Sequence, residues 1–181
     1  SRRTIVNDLK LVQQWLASYH LEMKYIQNKG FIINGEEEAL RQAYANIVKN
    51  YFKMTVPYFQ DNLFSEEELA IVRKTVIETL NEEDYRLVQS AVDGLVYHII
   101  IAIHRLKLNY SIDVPKEEYE KVCDTVQYRI SQKLKKNLEI KFDIQFSESE
   151  AIFITLHLLS SKISSIKENN INTGAVSYTH L

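Results

Sequence analysis

The stretch Tyr97–Tyr110, YHIIIAIHRLKLNY, places two polar side chains, His98 and Arg105, inside an otherwise apolar run. These two residues are seven positions apart, which is two helical turns, so in a helix they share nearly the same face. A second stretch, Glu150–Leu159 (EAIFITLHLL), sets His157 among Ile, Phe and Leu in the same way. Two helices that each carry one histidine in an apolar setting predict a site where two imidazoles face each other. The alternative interpretation is that each histidine is an ordinary core residue.

The composition is that of an ordinary soluble protein. The 181 residues, 45% of them apolar and 25% charged, are enough for one well-buried domain, or for one domain with a small module. Four glycines and two prolines favour long helices over a many-stranded sheet. A formal net charge of -2 gives no overall attraction to nucleic acid, so any DNA contact requires a local patch.

The single cysteine and the lack of long apolar runs bear on the compartment. Cys123 has no second cysteine with which to form an intrachain disulfide, which fits a reducing compartment. No apolar run reaches the ~18–20 residues of a membrane span, and the N-terminal SRRTIVND has no apolar signal core. We therefore expect a cytoplasmic protein with no membrane span.

The N-terminal part predicts a helix followed by a hairpin. Apolar residues recur at spacings of four, three and four along residues 1–16: Ile5, Leu9, Val12 and Leu16. Leu21–Ile26 alternates, Gln27–Gly30 has turn composition, and Phe31–Gly35 reads as a second strand. This order is typical of the second half of a winged helix-turn-helix, whose recognition helix presents its N-terminal residues to the major groove. The expected DNA-binding residues are Arg2, Arg3, Thr4, Asn7 and Lys29. The alternative is an exposed amphipathic helix with a solvated charged face.

The rest of the chain predicts helices. A connector helix covers Glu36–Phe52, and Pro57 marks the boundary that follows it. Ser65 and Glu68 form a capping box that opens the next helix. Two further helices are expected, one from Asn81 or Glu82 to about Leu108 and one from Pro115 to Leu134.

The last third of the chain combines an alternating segment, a helix and a polar tail. Leu138–Phe146 alternates and predicts a strand or an extended connection. Ser147 and Glu150 form a second capping box for a helix from Glu148 to about Ile163. From residue 168 onward the composition predicts disorder, and the terminal AVSYTHL looks like a cloning or sequencing remnant.

Residues from Ser1 to about Tyr44 resemble the end of the second helix-turn-helix in BglG-type regulators of sugar phosphotransferase operons. The sharpest parts of the match are S-R-R-T-I-x-N-D-L and K-G-F-x-I-x-G. The resemblance implies DNA binding, and it implies that the chain was cut from a longer regulator with further helices, a second regulation domain and transport-protein-like domains.

Residues from about Ser65 to Ile166 resemble a phosphotransferase regulation domain, or PRD. The motifs are H-x6-R, with His98 and Arg105, and E-A-x-F-I-x-L-H, which ends at His157. Such domains are helical bundles that accept phosphate on histidine from sugar-transport phosphocarriers. The resemblance implies that His98 and His157 are phosphorylation sites supported by Arg105, and that the partners are DNA, phosphocarrier proteins and a second copy of the chain.

The expected fold is mainly α, a PRD helical bundle preceded by the C-terminal part of a winged helix. The expected segments are 1–35 for the winged-helix part, 36–62 for the connector, 63–167 for the PRD and 168–181 for a disordered tail. We expect a transcriptional activator that acts as a switch rather than an enzyme, with no cofactor and no metal. One alternative is an RNA-binding antiterminator of the same family, although such proteins begin with a small β-rich module. Another is a helical metalloenzyme using His98, His157 and Glu150, whose spacing matches no compact metal motif.

The chemistry of histidine supports the switch hypothesis. A neutral imidazole, with an ordinary pKa of ~6.5, is nucleophilic at neutral pH and accepts a phosphoryl group by in-line transfer. Arg105 is the cation best placed in the sequence to stabilise the equatorial oxygens. The attached phosphate adds roughly two negative charges, so packing or dimerisation must respond. Of the other histidines, His104 is expected to be structural and His20 to lie on the surface.

Overall fold

Helices make up most of the chain in this computed structural model, which describes residues 2–53 and 64–174, with side chains described for 4–50 and 64–161. In chain order the elements are α1 (Arg2–Ala17), β1 (Glu22–Ile26), β2 (Gly30–Asn34), α2 (Glu37–Lys53), α3 (Glu66–Glu82), α4 (Gln89–Lys107), α5 (Lys116–Val122), α6 (Val126–Phe142) and α7 (Glu148–Gly174). They fall into two compact units, Ser1–Thr55 and Val56–Leu181. The mainly α fold and the early hairpin agree with the sequence-based prediction.

In the first unit, a helix and a two-stranded antiparallel hairpin share a small core. The strands pair in register from Glu22 opposite Asn34 to Ile26 opposite Gly30. Gly30 ends the turn at a φ of +88°, a left-handed conformation that favours glycine. The core consists of Leu16, Leu21 and Ala43, with Trp15, Tyr19, Met23, Ala39 and Leu40 packed against it. Because Ala43 lies on α2, the predicted connector helix packs with the winged-helix part.

The predicted apolar stripe of α1 is buried only at its C-terminal end. Leu16 is 3% exposed, whereas Ile5 is 60% and Val12 is 44% exposed. The core contacts of this helix come from Leu21 and α2, which meet its last turn. The periodicity therefore predicted the helix correctly but not the burial of its first three turns.

In the second unit, four helices close a ring in which each packs on two neighbours. α3 contacts α4 and α6, and α7 contacts the same two helices from the other side. The fully buried side chains of this unit include Val72, Val76, Ile100, Ile103, Ile130, Leu134, Leu138 and Leu158. α4 is buried nearly all round from Leu95 to Ile103, as is typical of a helix at the centre of a bundle. α5 packs on α7.

Two predicted helix boundaries are wrong because of local turn chemistry. α3 ends at Glu82 and α4 begins only at Gln89, since Asp84 adopts a φ of +47° that breaks the helical run. The single helix predicted from Pro115 to Leu134 is two helices, α5 and α6. Thr125 separates them, because its hydroxyl accepts the Tyr128 N–H at 3.1 Å and thereby caps α6.

The strand predicted over Leu138–Phe146 is also wrong, because α6 continues through Phe142. Leu138 lies four residues after the buried Leu134 and is itself 0% exposed, which completes a helical stripe, while Ile140 is 75% exposed. Asp143, at a φ of +49°, ends the helix in a left-handed conformation. The apolar residues that alternate here belong to a helix, in which Leu138 lies on the buried face and Ile140 lies on the exposed face.

The capping residues and the chain ends show smaller differences. Ser65 accepts the Glu68 N–H at 3.0 Å and Ser147 accepts the Glu150 N–H at 3.3 Å, so both predicted serine caps form. α7 extends to Gly174, past residue 168, where the sequence predicted disorder. Pro57 and the terminal segment 175–181 lie outside the described residues. Across the described part of the chain, no helix has the length and apolar character that crossing a membrane requires.

Candidate functional site

His98 and His157 stack on each other where α4 packs on α7. Their ring centroids are 3.7 Å apart and their planes differ by 28°. Each side chain is half-buried. The two imidazoles face each other as the spacing of apolar residues in their helices predicted.

Phe153 completes the apolar surroundings of the pair. Its ring meets that of His157 edge-on, with centroids 4.5 Å apart and planes at 89°, and that of His98 at 6.1 Å and 75°. Phe153 was missed as a site residue, although it stands four positions before His157 and so on the same helical face. This i, i+4 aromatic–histidine spacing is the signal by which the sequence could have identified it.

Burial sets the protonation state of His157. It lowers the pKa of this imidazole to about 4, because the charged form loses its hydration among apolar neighbours. Nε2 of His157 is buried and makes no hydrogen bond with any described residue. The ring is therefore neutral near pH 7 and keeps one nitrogen lone pair as a potential nucleophile.

Arg105 lies two turns after His98 on α4, as the seven-residue spacing requires. Its guanidinium carbon stands 4.0 Å from the centre of the Tyr110 ring, in a cation–π arrangement. The Tyr110 N–H donates to the Arg105 carbonyl at 3.0 Å, so the chain folds back over the end of α4. The stacking on Tyr110 was not predicted, and contact between Arg105 and either imidazole stays a prediction.

The remaining described histidines are placed as the sequence predicted. Nε2 of His104 is 2.9 Å from the carboxylate of Glu68, which also accepts from Lys107 at 2.7 Å. The hydrogen bond from Lys107 is the largest influence that holds the pKa of Glu68 below its ordinary value. His104 therefore ties α4 to α3, which is a structural role. His20 is exposed, at a φ of +59° just after α1.

Glu150 begins the second site motif and is 0% exposed. Its Oε1 accepts the backbone N–H of Ile112 at 3.3 Å, in the loop that follows α4. The metalloenzyme alternative required Glu150 to converge with His98 and His157. No group of three or more His, Cys, Asp or Glu that could hold a metal ion occurs within residues 2–53 and 64–174.

The candidate DNA-binding residues are placed in part. Thr4, Asn7 and Lys29 are exposed, whereas the side chains of Arg2 and Arg3 lie outside the described residues. Elsewhere on the hairpin, Lys24 forms an exposed ion pair with Glu22 at 2.9 Å. The carboxylate of Glu22 therefore partly offsets the positive charge of Lys24.

Comparison with known proteins agrees with these features. Residues 73–161 match the model of the PRD domain family. Over 164 residues the chain is 24% identical to the Probable licABCH operon regulator of Bacillus subtilis (strain 168), covering 90% of this chain and 26% of that protein. It is 26% identical to the Transcriptional regulator ManR of the same organism over 164 residues, covering 90% of this chain and 25% of that protein. The chain thus spans about a quarter of the length of these relatives.

A solved structure, the crystal structure of GlcT CAT-PRDI, aligns with a TM-score of 0.48 and 20% identity, covering 78% of this chain and 83% of that one. The family match lies within the span 63–167 that the sequence assigned to the regulation domain, and it includes both stacked histidines. Residues 73–161 of this chain therefore form a PRD domain, and the chain is similar in sequence to an operon regulator and a transcriptional regulator.

Proposed function

We propose that this chain is part of a DNA-binding transcriptional activator of carbohydrate-uptake genes, controlled by phosphorylation of His98 and His157 by phosphocarriers of the sugar phosphotransferase system. The observation that carries the proposal is the stacked histidine pair across the α4–α7 contact, inside the PRD domain. The names of the relatives, an operon regulator and a transcriptional regulator, support the regulatory part. A cytoplasmic location follows from the phosphocarriers with which the protein would react.

The transfer step uses the neutral imidazole. The lone pair of the ring nitrogen attacks the phosphorus of a carrier phosphohistidine, a new P–N bond forms, and the P–N bond to the carrier breaks in line. The accepting ring gives up its N–H proton, and the departing carrier imidazole takes up a proton, so charge balances. The low pKa of His157 supports this role, because its ring is not protonated at neutral pH. Arg105 is the proposed cation for the phosphoryl oxygens.

Phosphorylation would place a strong charge at an apolar contact. A phosphoryl group brings roughly two negative charges, which the stacked arrangement of two imidazoles beside Phe153 does not accommodate. The contact between α4 and α7 must therefore rearrange when the phosphate is added. We propose that this rearrangement changes the association of two copies of the chain as a homodimer, and through it the activity of the regulator.

The proposed DNA contact involves α1 and the hairpin. A helix followed directly by a two-stranded hairpin is the arrangement of a recognition helix and its wing, and Thr4, Asn7 and Lys29 are exposed on these elements. The proposed contact set is completed by Arg2 and Arg3. Gel-shift titrations of the full-length protein with DNA and RNA distinguish the activator from an antiterminator, because only the activator binds the DNA upstream of the operon.

The test of the phosphorylation proposal is transfer from a carrier. The chain is incubated with a phosphorylated histidine phosphocarrier, and the label retained is measured before and after brief acid treatment. The expected result is an acid-labile label, as on a phosphoramidate, that is lost when both His98 and His157 are alanine. His20→Ala serves as the matched control and should be labelled like the wild type, since His20 is exposed and lies in the other unit. Wild-type labelling in the double alanine variant would refute the assignment.

A further inference from the structure

The helices α4 and α7 run antiparallel, and two contacts establish this. His98 and His157 stack at one level of the interface. At another level Ile112, five residues beyond the end of α4, donates its N–H to Glu150, in the first turn of α7. The C-terminal end of α4 therefore lies beside the N-terminal end of α7.

This geometry places Arg105 level with Glu150. Arg105 follows His98 by seven residues, and Glu150 precedes His157 by seven residues. Each interval is two turns, or about 10.5 Å along a helix axis. Because the two helices are antiparallel, Arg105 on α4 and Glu150 on α7 both lie about two turns from the stacked rings, toward the C-terminal end of α4. The two motifs thus form two matched levels, one of imidazoles and one of opposite charges.

Glu150 has the properties of a carboxylate with a cationic partner. It is 0% exposed, and an ionised carboxylate that is removed from water is stable only beside a positive charge or several hydrogen-bond donors. The donor seen at its Oε1 is the backbone N–H of Ile112 at 3.3 Å, a long hydrogen bond. A buried ionised carboxylate is stabilised by a cation in addition to such a bond.

Glu150 and Arg105 both contact the loop that follows α4. Glu150 binds Ile112, and the neighbouring Ser149 accepts the N–H of Val114 at 3.1 Å, so the start of α7 fixes residues 112–114. Two residues earlier, the Tyr110 ring lies under the guanidinium of Arg105 at 4.0 Å. The carboxylate and the guanidinium therefore contact the same short segment, at Ile112 and at Tyr110.

We propose that Glu150 forms a buried ion pair with Arg105 and acts as a positioning residue for the phosphoryl-accepting site. Arg105 offers five N–H donors in a planar fork, so one edge binds the carboxylate while other donors are directed at a phosphoryl group two turns away. Tyr110 supports the flat face of the same guanidinium. Glu150 does not touch the phosphoryl group and acts through Arg105. This inference rests on the proposed phosphorylation of the histidine pair.

A stability cycle in the full 181-residue chain tests the ion pair without any phosphorylation. The variants are Arg105→Met, Glu150→Gln and the double variant, and the measurement is the urea midpoint at pH 7. Arg105→Met should lower the midpoint most, because it leaves a buried carboxylate without its cation. Adding Glu150→Gln should restore part of that loss, since the amide is neutral and its oxygen still accepts from Ile112.

The matched control combines Arg105→Met with Glu68→Gln, and these two effects should add, because Glu68 pairs with Lys107 and His104. Additive losses for Arg105 and Glu150 would overturn the pair.

The rate of phosphorylation tests the positioning role, with a phosphorylated histidine carrier and with the small donor phosphoramidate. Glu150→Gln should slow transfer about tenfold in the wild-type background, as expected for a misplaced supporting group. In the Arg105→Met background the same change should have no further effect, because Glu150 acts only through Arg105. Equal slowing in both backgrounds would overturn the positioning role. If the wild-type chain accepts phosphate from neither donor, the proposed function fails, while the stability cycle still decides whether the ion pair exists.

Discussion

At the scale of single residues, His157 illustrates how packing alone keeps an imidazole in its neutral form. The apolar sequence around it on α7 and the edge of Phe153 remove water from the ring, and this desolvation lowers its pKa to about 4. An exposed histidine with a pKa of ~6.5 would be partly protonated near neutral pH, and its lone pair would be lost in that fraction. Burial thus keeps the His157 ring neutral near pH 7.

The same shift predicts how stability depends on pH. Since the folded-state pKa lies below the unfolded value of 6.5, the contribution of His157 is fully present above pH 6.5 and is lost as pH falls toward 4. The loss amounts to at most about 3 kcal/mol. Urea unfolding of the wild type and of His157→Phe from pH 7.5 to pH 4 should show a steeper decline for the wild type.

His20→Ala is the control for that experiment, since His20 is exposed and its removal should leave the decline unchanged. Parallel pH profiles for the wild type and His157→Phe would show that the imidazole titrates alike in the folded and unfolded chains.

At the scale of elements, the alternating apolar residues of Leu138–Phe142 are compatible with a strand or with a helix, and the burial of their side chains distinguishes the two. In a strand, Leu138 and Ile140 would share a face, whereas in α6 they point in nearly opposite directions. In the structure Leu138 is 0% exposed and Ile140 is 75% exposed. The lysines of α6 add a reason for the helix, because Lys141 reaches the Thr75 hydroxyl of α3 at 2.8 Å and Lys133 reaches Glu83 at 2.6 Å.

Alanine substitutions distinguish the two interpretations. Leu138→Ala should lower the free energy of unfolding by about 2–5 kcal/mol, because it opens a cavity at the centre of the bundle. Ile140→Ala is the matched control and should change it by no more than about 0.5 kcal/mol. Chemical denaturation at constant pH measures both. Similar large losses at both positions would support a strand with one buried face.

Phosphorylation should weaken the packing of α4 on α7 and leave the packing of α3 on α6 unchanged. The added charge falls at the α4–α7 contact, so amide hydrogen exchange should rise in residues 98–105 and 150–157 after phosphorylation. The contact between α3 and α6, held by Lys133, Lys141 and their partners, should keep its protection. Hydrogen-exchange mass spectrometry of both forms provides the comparison, and unchanged protection at α4–α7 would contradict the proposed rearrangement.

The sequence predicted what depends on regular spacing and missed what depends on single turns. The helices around His98 and His157, the hairpin, and the caps at Ser65 and Ser147 follow from periodicity and capping chemistry. The breaks at Asp84 and Asp143 rest on left-handed backbone conformations that a non-glycine residue adopts in tertiary context. The loop contact of Glu150 joins residues 38 positions apart, which no local pattern reveals.

At the scale of the whole molecule, the chain divides into two compact units. The division between Thr55 and Val56 falls close to the boundary expected at Pro57. The second unit contains the complete ring of four helices, its serine caps and the stacked histidines.

A truncated chain that begins at Val56 should therefore fold by itself. Its circular dichroism spectrum should be helical and its thermal unfolding cooperative, because the apolar faces of the bundle are covered within this span. The 181-residue chain is the reference for both measurements. An unfolded spectrum for the truncated chain would show that the first unit is needed to stabilise the bundle.

The DNA-binding proposal is tested in the full-length protein. Arg3→Ala should weaken operator binding by about 1–3 kcal/mol if Arg3 contacts a base edge. Lys49→Ala is the matched control, since Lys49 is exposed on α2, away from α1 and the hairpin in sequence. Fluorescence anisotropy at fixed salt gives the affinities, and unchanged binding in both Arg2→Ala and Arg3→Ala would remove the recognition-helix assignment.

The stacked imidazoles of His98 and His157 are the proposed phosphate acceptors of this chain. The most direct measurement is site-resolved mass spectrometry of the carrier-phosphorylated wild-type chain, digested and kept at alkaline pH so that phosphohistidine survives. Acid-labile phosphate is expected at His98 or His157 and at neither His20 nor His104, with fragment ions assigning the site because His98 and His104 share one tryptic peptide. Phosphate on His20 or His104 alone, or on no histidine at all, would contradict it.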